Sequence, residues 1–244
     1  MTKITTGAFL SDMHMPDNID LNPVFQYIKD IKPNKIILGG DIIDVKELHG
    51  VDSMKAERFK MKWYERDKIN LQSLFFDLKK FSPGCDVIFL EGNHEERYTR
   101  LTNKYSDLFP DVNLKKDCGE GIKWIEYGTY KSYYRLGDTV FMHGTAYPDN
   151  HSKRYALDHT PFKCIYGHLH HFQAYTTRKA FSTMGPRYAV TAGCLSRTMP
   201  EWKKGSPNQW VNGFISFIKT GASVIPTIHM MYKNKFYANG KLYQ

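Results

Sequence analysis

The sequence predicts an α/β fold in which parallel strands carry a site at their carboxyl ends, and three observations point there. Five short apolar runs, residues 7–10, 35–38, 87–90, 139–142 and 164–166, read as buried strands. Most of them are followed within a few residues by an Asp, Asn or His. Helical periodicity separates the first two runs, whereas strand-like alternation dominates beyond Gly121.

The elements follow in order. After the first run, residues 20–31 place Leu21, Val24, Phe25, Ile28 and Ile31 near helical spacing, and Pro33 stops the helix. The second run leads to Gly39. Residues 53–80 then read as one long helix or a broken pair. Phe59, Trp63, Leu71, Leu74, Phe75 and Leu78 form its apolar stripe, while Lys55, Arg58, Lys60, Lys62 and Arg66 occupy other faces. Such a charge run is ordinarily solvated; a homo-oligomer surface or a substrate flank are the alternatives. Residues 123–127, 130–136, 188–192, 213–218 and 224–232 alternate β-branched, aromatic and polar side chains, with turn signals at Leu136-Gly137-Asp138 and Asn239-Gly240. They are read as a second sheet, and residues from about 200 to 244 supply C-terminal strands and a tail.

Composition suits this outline. At 244 residues the chain is long enough for one domain, 1–244, with a sizeable core, and 41% hydrophobic and 24% charged residues are ordinary globular content. No apolar run approaches the ~20 residues needed to span a bilayer. The first candidate ligand comes as early as Asp12, which leaves no room for a signal peptide, so the expectation is a cytoplasmic protein with no membrane association. Cys85, Cys118, Cys164 and Cys194 are widely spaced without a CxxC pair, which argues against a thiolate metal site or a disulfide framework.

The chemistry lies in seven candidate metal ligands: Asp12 and His14, Asp41, Asn93, His143, and His168 with His170. Oxygen and imidazole donors without thiolates suit borderline divalent ions such as Mn, Fe, Zn and Ni, whereas an all-oxygen set would favour Mg or Ca. Strand ends bring such residues together from distant parts of a chain.

DxH at Asp12 to His14, GDxxD at Gly40 to Asp44, GNHE at Gly92 to Glu95, HG at His143 and GHxH at Gly167 to His170 resemble the calcineurin-like metallophosphoesterase family. The resemblance implies an αββα sandwich of two mixed β-sheets flanked by helices. It also implies two divalent metal ions, with Mn first and Fe, Zn, Ni or Mg as alternatives. One ion would be held by Asp12, His14, Asp41 and His170, the other by Asp41, Asn93, His143 and His168. Asp41 would bridge them, its charge offsetting repulsion between cations about 3.5–4 Å apart. A metal-bridging hydroxide would attack phosphorus, His94 would protonate the departing alkoxide, and Asp44 would orient His94.

Substrate contacts are expected from Arg97, placed as in the similar GNHExR stretch of phosphoprotein phosphatases, and from Lys153 and Arg154 in the basic run after His143. Arg97 has a salt bridge to Glu91 or Glu96 as its structural alternative. After GDxxD the chain has Val45-Lys46 rather than the Arg-Gly of those phosphatases, and it keeps the complete GHLH of the family's phosphodiesterases and nucleases. The net charge of +9 and pI near 9.2 also suit a nucleic acid or nucleotide substrate. Trp202, Lys203, Lys204 and Trp210, and then Lys233, Lys235, Phe236 and Tyr237, interleave rings and cations in a way that suits stacked bases or ordinary edge-strand packing. A dinuclear phosphodiesterase is the leading expectation. A phosphomonoesterase acting on proteins or small molecules is the alternative, followed by an inactive binding scaffold.

Overall fold

The first sheet is built outward from β1 (Ile4–Leu10), whose last four residues are buried. β1 pairs in parallel with β2 (Lys35–Leu38), β2 with β3 (Asp86–Leu90), and β3 with β4 (Lys123–Ile125). On its other side β1 is antiparallel to β10 (Asn212–Thr220), which is antiparallel to β11 (Ser223–Met231). These six strands lie in the order β11-β10-β1-β2-β3-β4. The structure, a computed structural model, describes residues 4–129, 131–145, 149–159, 161–177, 186–199 and 208–244.

The second sheet contains β5 (Tyr133–Leu136), β6 (Thr139–Met142), β7 (Lys163–Tyr166), β8 (Phe172–Thr176) and β9 (Tyr188–Ala192), in the order β5-β6-β7-β9-β8. β6, β7 and β9 are parallel, with antiparallel strands at both edges. One expectation is corrected here. The alternating segments 123–127, 213–218 and 224–232 join the first sheet as β4, β10 and β11, not the second. Alternation reports that a strand's two faces meet different surroundings, and strands of either sheet satisfy that condition. Tyr130 of the expected 130–136 segment lies outside the described residues.

Side-chain alternation along the strands divides the core. Phe9, Ile37, Ile88 and Leu90 of the first sheet face Phe141, Ile165 and Val190 of the second. Ala8, Leu10, Ile36, Leu38 and Phe89 point the other way, against α1 (Asn22–Ile31) and α2 (Met61–Phe81). Beyond the second sheet, α5 (His151–Arg154) leads into a π-helical turn (Tyr155–His159), and Tyr155 and Ala156 pack on Val140, Cys164, Tyr166 and Ala189. The layers therefore stack as αββα.

Where a helix was expected from residue 53, α2 starts at Met61. Phe59 is buried edge-on against Phe109 and Trp63 on extended backbone, which ends the short 3-10 turn of Ala56–Arg58 and delays the helix. Two shorter helices, α3 (Glu96–Lys104) and α4 (Leu114–Cys118), lie between β3 and β4. The chain closes with the hairpin β12 (Phe236–Ala238) and β13 (Lys241–Tyr243), turned by Asn239 and Gly240 at φ 51° and 76°. Its Phe236 and Tyr243 rings pack on Tyr27 of α1. Among the described residues no helix is long and apolar enough to cross a membrane.

Gly7 shows how tightly the inner core is closed. It stands opposite Phe217 in the β1–β10 pair, and a Cβ there would lie 2.1 Å from Phe217 Cζ. Gly7→Ala is expected to lower stability by about 1–3 kcal/mol through overpacking. Chemical denaturation should give a smaller loss for the same change in a Phe217→Leu background; equal losses would show that the ring is not the obstacle.

Candidate metal centre

Each motif leaves a strand at its carboxyl end. Asp12 and His14 follow β1, Asp41 and Asp44 follow β2, and Asn93 and His94 follow β3. His143 follows β6, and His168 and His170 follow β7, so both sheets deliver side chains to one edge of the sandwich. Five of these residues, Asp12, His14, Asp41, His168 and His170, have left-handed backbone with φ between 50° and 74°. Such a conformation costs of order 1–3 kcal/mol per non-glycine residue and persists only where its surroundings enforce it.

Cross-loop hydrogen bonds provide that enforcement. Asp12 N–H donates to the Gly40 carbonyl, His14 N–H to the Asp41 carbonyl and Met15 N–H to the Ile42 carbonyl at 2.8–3.0 Å. His168 N–H donates to both Asp12 carboxylate oxygens at 2.9 and 3.0 Å, tying the second sheet to the first. Glu95, 1% exposed, accepts from the backbone N–H groups of Asp41, Ile42, Ile43 and Gly92 at 2.7–3.1 Å. Burial and the Asp41 carboxylate push Glu95 up to about 7, against the four donors that favour its charged form. Gly92 has to be glycine because a Cβ there would lie 2.1 Å from Asp41 Oδ1.

The donor atoms gather in three overlapping groups. Asp12, His14 and His170 make one, His14, Asp41 and His94 the second, and Asp41, His143 and His168 the third, each with donor atoms within 4.8 Å of one another. Asp41 Oδ2 lies 3.3 Å from His143 Nε2, 3.8 Å from His94 Nε2 and 3.9 Å from His14 Nε2. Asn93 joins the set through Oδ1, 3.0 Å from His143 Nε2.

Tautomers follow from these contacts. His143 Nδ1 faces the Gly39 carbonyl at 2.8 Å and therefore carries the proton, turning the Nε2 lone pair into the cluster. His14 Nδ1 faces Asp44 Oδ1 at 3.4 Å with the same result. His143 Nε2 then meets His168 Nδ1 at 3.1 Å, and His14 Nε2 meets His170 Nε2 at 3.2 Å. Ring nitrogens facing each other at such distances, beside two buried carboxylates, need a proton or a cation between them. A mixed imidazole and carboxylate set of this shape fits divalent cations.

The electrostatics agree. Burial would raise Asp41, yet the surrounding imidazoles hold it well below the usual carboxylate range. Burial likewise opposes a proton on His143, but Asp41 outweighs it and brings His143 to about 9. His168 goes the other way, to about 4, through burial and the neighbouring His143. His94 is raised despite burial, because Asp41 and Asp44 favour its charged form. Its Nδ1 rests against the Asp44 carbonyl and 3.3 Å from Asp44 Oδ1, while its N–H donates to Asp41 Oδ1 at 2.9 Å.

A cavity of about 200 Å³ exposes the cluster, lined by His14, Asp41, Asp44, Asn93, His94, His168 and His170. Asp17, Ser196, Arg197 and Trp210 complete the lining. The sequence reading missed the first three as site residues and considered Trp210 only as a stacking ring. Asp17 lies three residues beyond the DxH motif, whereas Ser196, Arg197 and Trp210 belong to no motif and are brought in by the course of the chain after β9.

Arg97, Lys153 and Arg154, expected to touch substrate, are not among the lining residues of this cavity. Arg97 Nη1 donates to the Asp44 and Val45 carbonyls at 3.1 and 3.0 Å. It makes no salt bridge to Glu91, which instead accepts from Trp124 Nε1 and Tyr127 N–H. Lys153 and Arg154 are exposed on α5 and do not line this cavity. Trp202, Lys203 and Lys204 lie outside the described residues. In the C-terminal group, Phe236 is buried and Lys235 bonds Gln244 Oε1 at 2.8 Å.

A family model described as calcineurin-like phosphoesterase matches residues 8–192. The chain belongs to the calcineurin-like phosphoesterase family. It is accordingly a metal-dependent phosphoesterase. Among solved structures, Vps29 of Chaetomium thermophilum aligns with a TM-score of 0.51 and 12% identity, over 94% of this chain and 92% of that one. A single mutant of Vps29 from Entamoeba histolytica gives a TM-score of 0.44 at 11% identity, over 97% and 95%. A conserved uncharacterised protein of Streptococcus pneumoniae TIGR4, described as a predicted phosphoesterase, gives 0.40 at 14%, over 99% and 97%. At 12% identity the first likeness is one of fold. No curated protein matches the chain in sequence.

Glu95→Gln would replace an acceptor-only carboxylate with an amide whose NH₂ faces backbone N–H groups. Stability is expected to fall by about 1–3 kcal/mol, the cost of unsatisfied buried donors. Hydrogen exchange should quicken at the amides of Asp41, Ile42, Ile43 and Gly92 more than in α1; unaltered exchange there would remove Glu95 as the clamp.

Proposed function

We propose that this family member is a phosphodiesterase acting on nucleic acid or nucleotides with two divalent cations, Mn foremost. Asp12, His14, Asp41 and His170 would hold one ion, and Asp41, Asn93, His143 and His168 the other. The observation that carries the reading is Asp41, buried and common to two of the three donor groups. When bound, the ions supply Lewis acidity toward phosphate oxygens and toward water.

The remaining work falls to the chain. Asp44 accepts from the Nδ1 side of both His14 and His94, fixing both rings with Nε2 toward the cavity. His94 is thereby set to carry a proton to the departing oxygen, with Asp41 and Asp44 favouring its charged form beforehand. Arg97 holds the loop that presents Asp44.

Preference for diesters is supported by the cavity's cations. Among the described residues Arg197 is the one Lys or Arg in the lining, because the Arg97 guanidinium is turned to backbone carbonyls. A dianionic monoester would be served better by paired guanidinium groups. The net charge of +9 suits a polyanionic substrate. A cytoplasmic setting fits the four free cysteines.

With Mn, bis-p-nitrophenyl phosphate is expected to be cleaved faster than p-nitrophenyl phosphate, and single-stranded or plasmid DNA to be degraded. A large preference for the monoester would contradict the reading. Asp41→Asn should lose at least one metal by elemental analysis; a variant with two ions and full turnover would remove the bridging role. His94→Ala is expected to slow cleavage of an alkyl leaving group by roughly 10²–10⁴-fold. It should affect p-nitrophenolate much less, since that group departs without a proton.

A further inference from the structure

We propose that Arg197 binds a second phosphate of the substrate, adjacent to the one cleaved, so that the centre is built for phosphates linked in a chain, as in an oligonucleotide. The inference rests on the phosphodiesterase reading.

Arg197 stands where two hollows meet. It lines the cavity of the metal centre and also an adjoining hollow of about 420 Å³, bounded by Asn18, Asp20, Thr198, Met199, Asn212 and Asn234. A substrate extending from the metal centre in this direction must pass it. The residue is exposed, and among the described residues its guanidinium has no hydrogen bond or ion pair.

Its backbone is held firmly nonetheless. Arg197 N–H donates to the Asp17 carbonyl at 2.9 Å, Ser196 is bridged to Asn18, and Asn212 Nδ2 donates to the Ser196 carbonyl at 2.7 Å. A fixed base under a free guanidinium is an arrangement for gripping an anion rather than for stabilising the fold.

A second observation points to a ligand at the same place. Ser196 is 3% exposed and lines the metal cavity, yet among the described residues its Oγ has no hydrogen-bond partner. A buried hydroxyl without a partner carries a desolvation cost that a bound oxyanion would relieve.

Charge limits where the second phosphate can sit. Asp17, Asp41 and Asp44 line the metal cavity, and Asp20 lines the neighbouring hollow together with the amides of Asn18, Asn212 and Asn234. Beyond the reach of the metal ions, Arg197 is the one cation among the described lining residues of either hollow. The amides suit the neutral sugar or base edges that follow.

The test compares Mn-loaded wild type, Arg197→Ala and Arg197→Lys on bis-p-nitrophenyl phosphate, which has one phosphate, and on a thymidine tetranucleotide. For Arg197→Ala the ratio of kcat/KM for tetranucleotide to that for the small diester should fall roughly tenfold or more, mainly through KM, as expected for a lost charge contact. Arg197→Lys should recover part of it. The salt dependence of tetranucleotide KM should weaken by about one phosphate contact in Arg197→Ala. An unchanged ratio would overturn the proposal. If wild type binds Mn but cleaves neither diester, the phosphodiesterase reading fails and the inference falls with it.

Discussion

Asp41 is a carboxylate that water scarcely reaches, with the ring nitrogens of His143, His94 and His14 between 3.3 and 3.9 Å away. A buried anion of this kind is costly unless fixed positive charge and hydrogen-bond donors surround it. Here the donors are backbone groups and the positive charge must come from imidazolium or metal. Everything else about the edge of the sandwich follows from meeting that requirement. Strands of both sheets end at one place, the loops cross-bond, and the rings turn Nδ1 to Gly39 or Asp44 and Nε2 toward Asp41.

Meeting it also demands an unfavourable backbone. Left-handed conformations at Asp12, His14, Asp41, His168 and His170 point side chains inward over a short span. Glu95 supports the arrangement from beneath by collecting four N–H groups of two loops on one carboxylate. A rigid frame of this kind keeps opposed donor atoms together before any cation arrives. It also explains why Arg97 is occupied with the Asp44 loop rather than turned into the cavity.

Much of this was legible in the sequence, for physical reasons. The strands leading to the motifs are short apolar runs because parallel strands inside a sandwich are covered on both faces. The donor residues were visible because their side-chain chemistry is local information. What could not be read depends on pairing through space. β10 and β11 alternate like any half-covered strand, so their place beside β1 had no signature. β8 is half exposed along its length and presents no apolar run at all. The four donors to Glu95, the carbonyls that occupy Arg97, and the arrival of Ser196 and Arg197 at the cavity are products of topology, with no motif to announce them.

The central claim is that one carboxylate, Asp41, joins two cation sites at bonding distance. Electron paramagnetic resonance of the protein titrated with Mn(II) tests it most directly. The account predicts that a second equivalent converts the spectrum of an isolated ion into that of an exchange-coupled pair. Two bound ions that keep independent spectra, or saturation at a single ion, would contradict it.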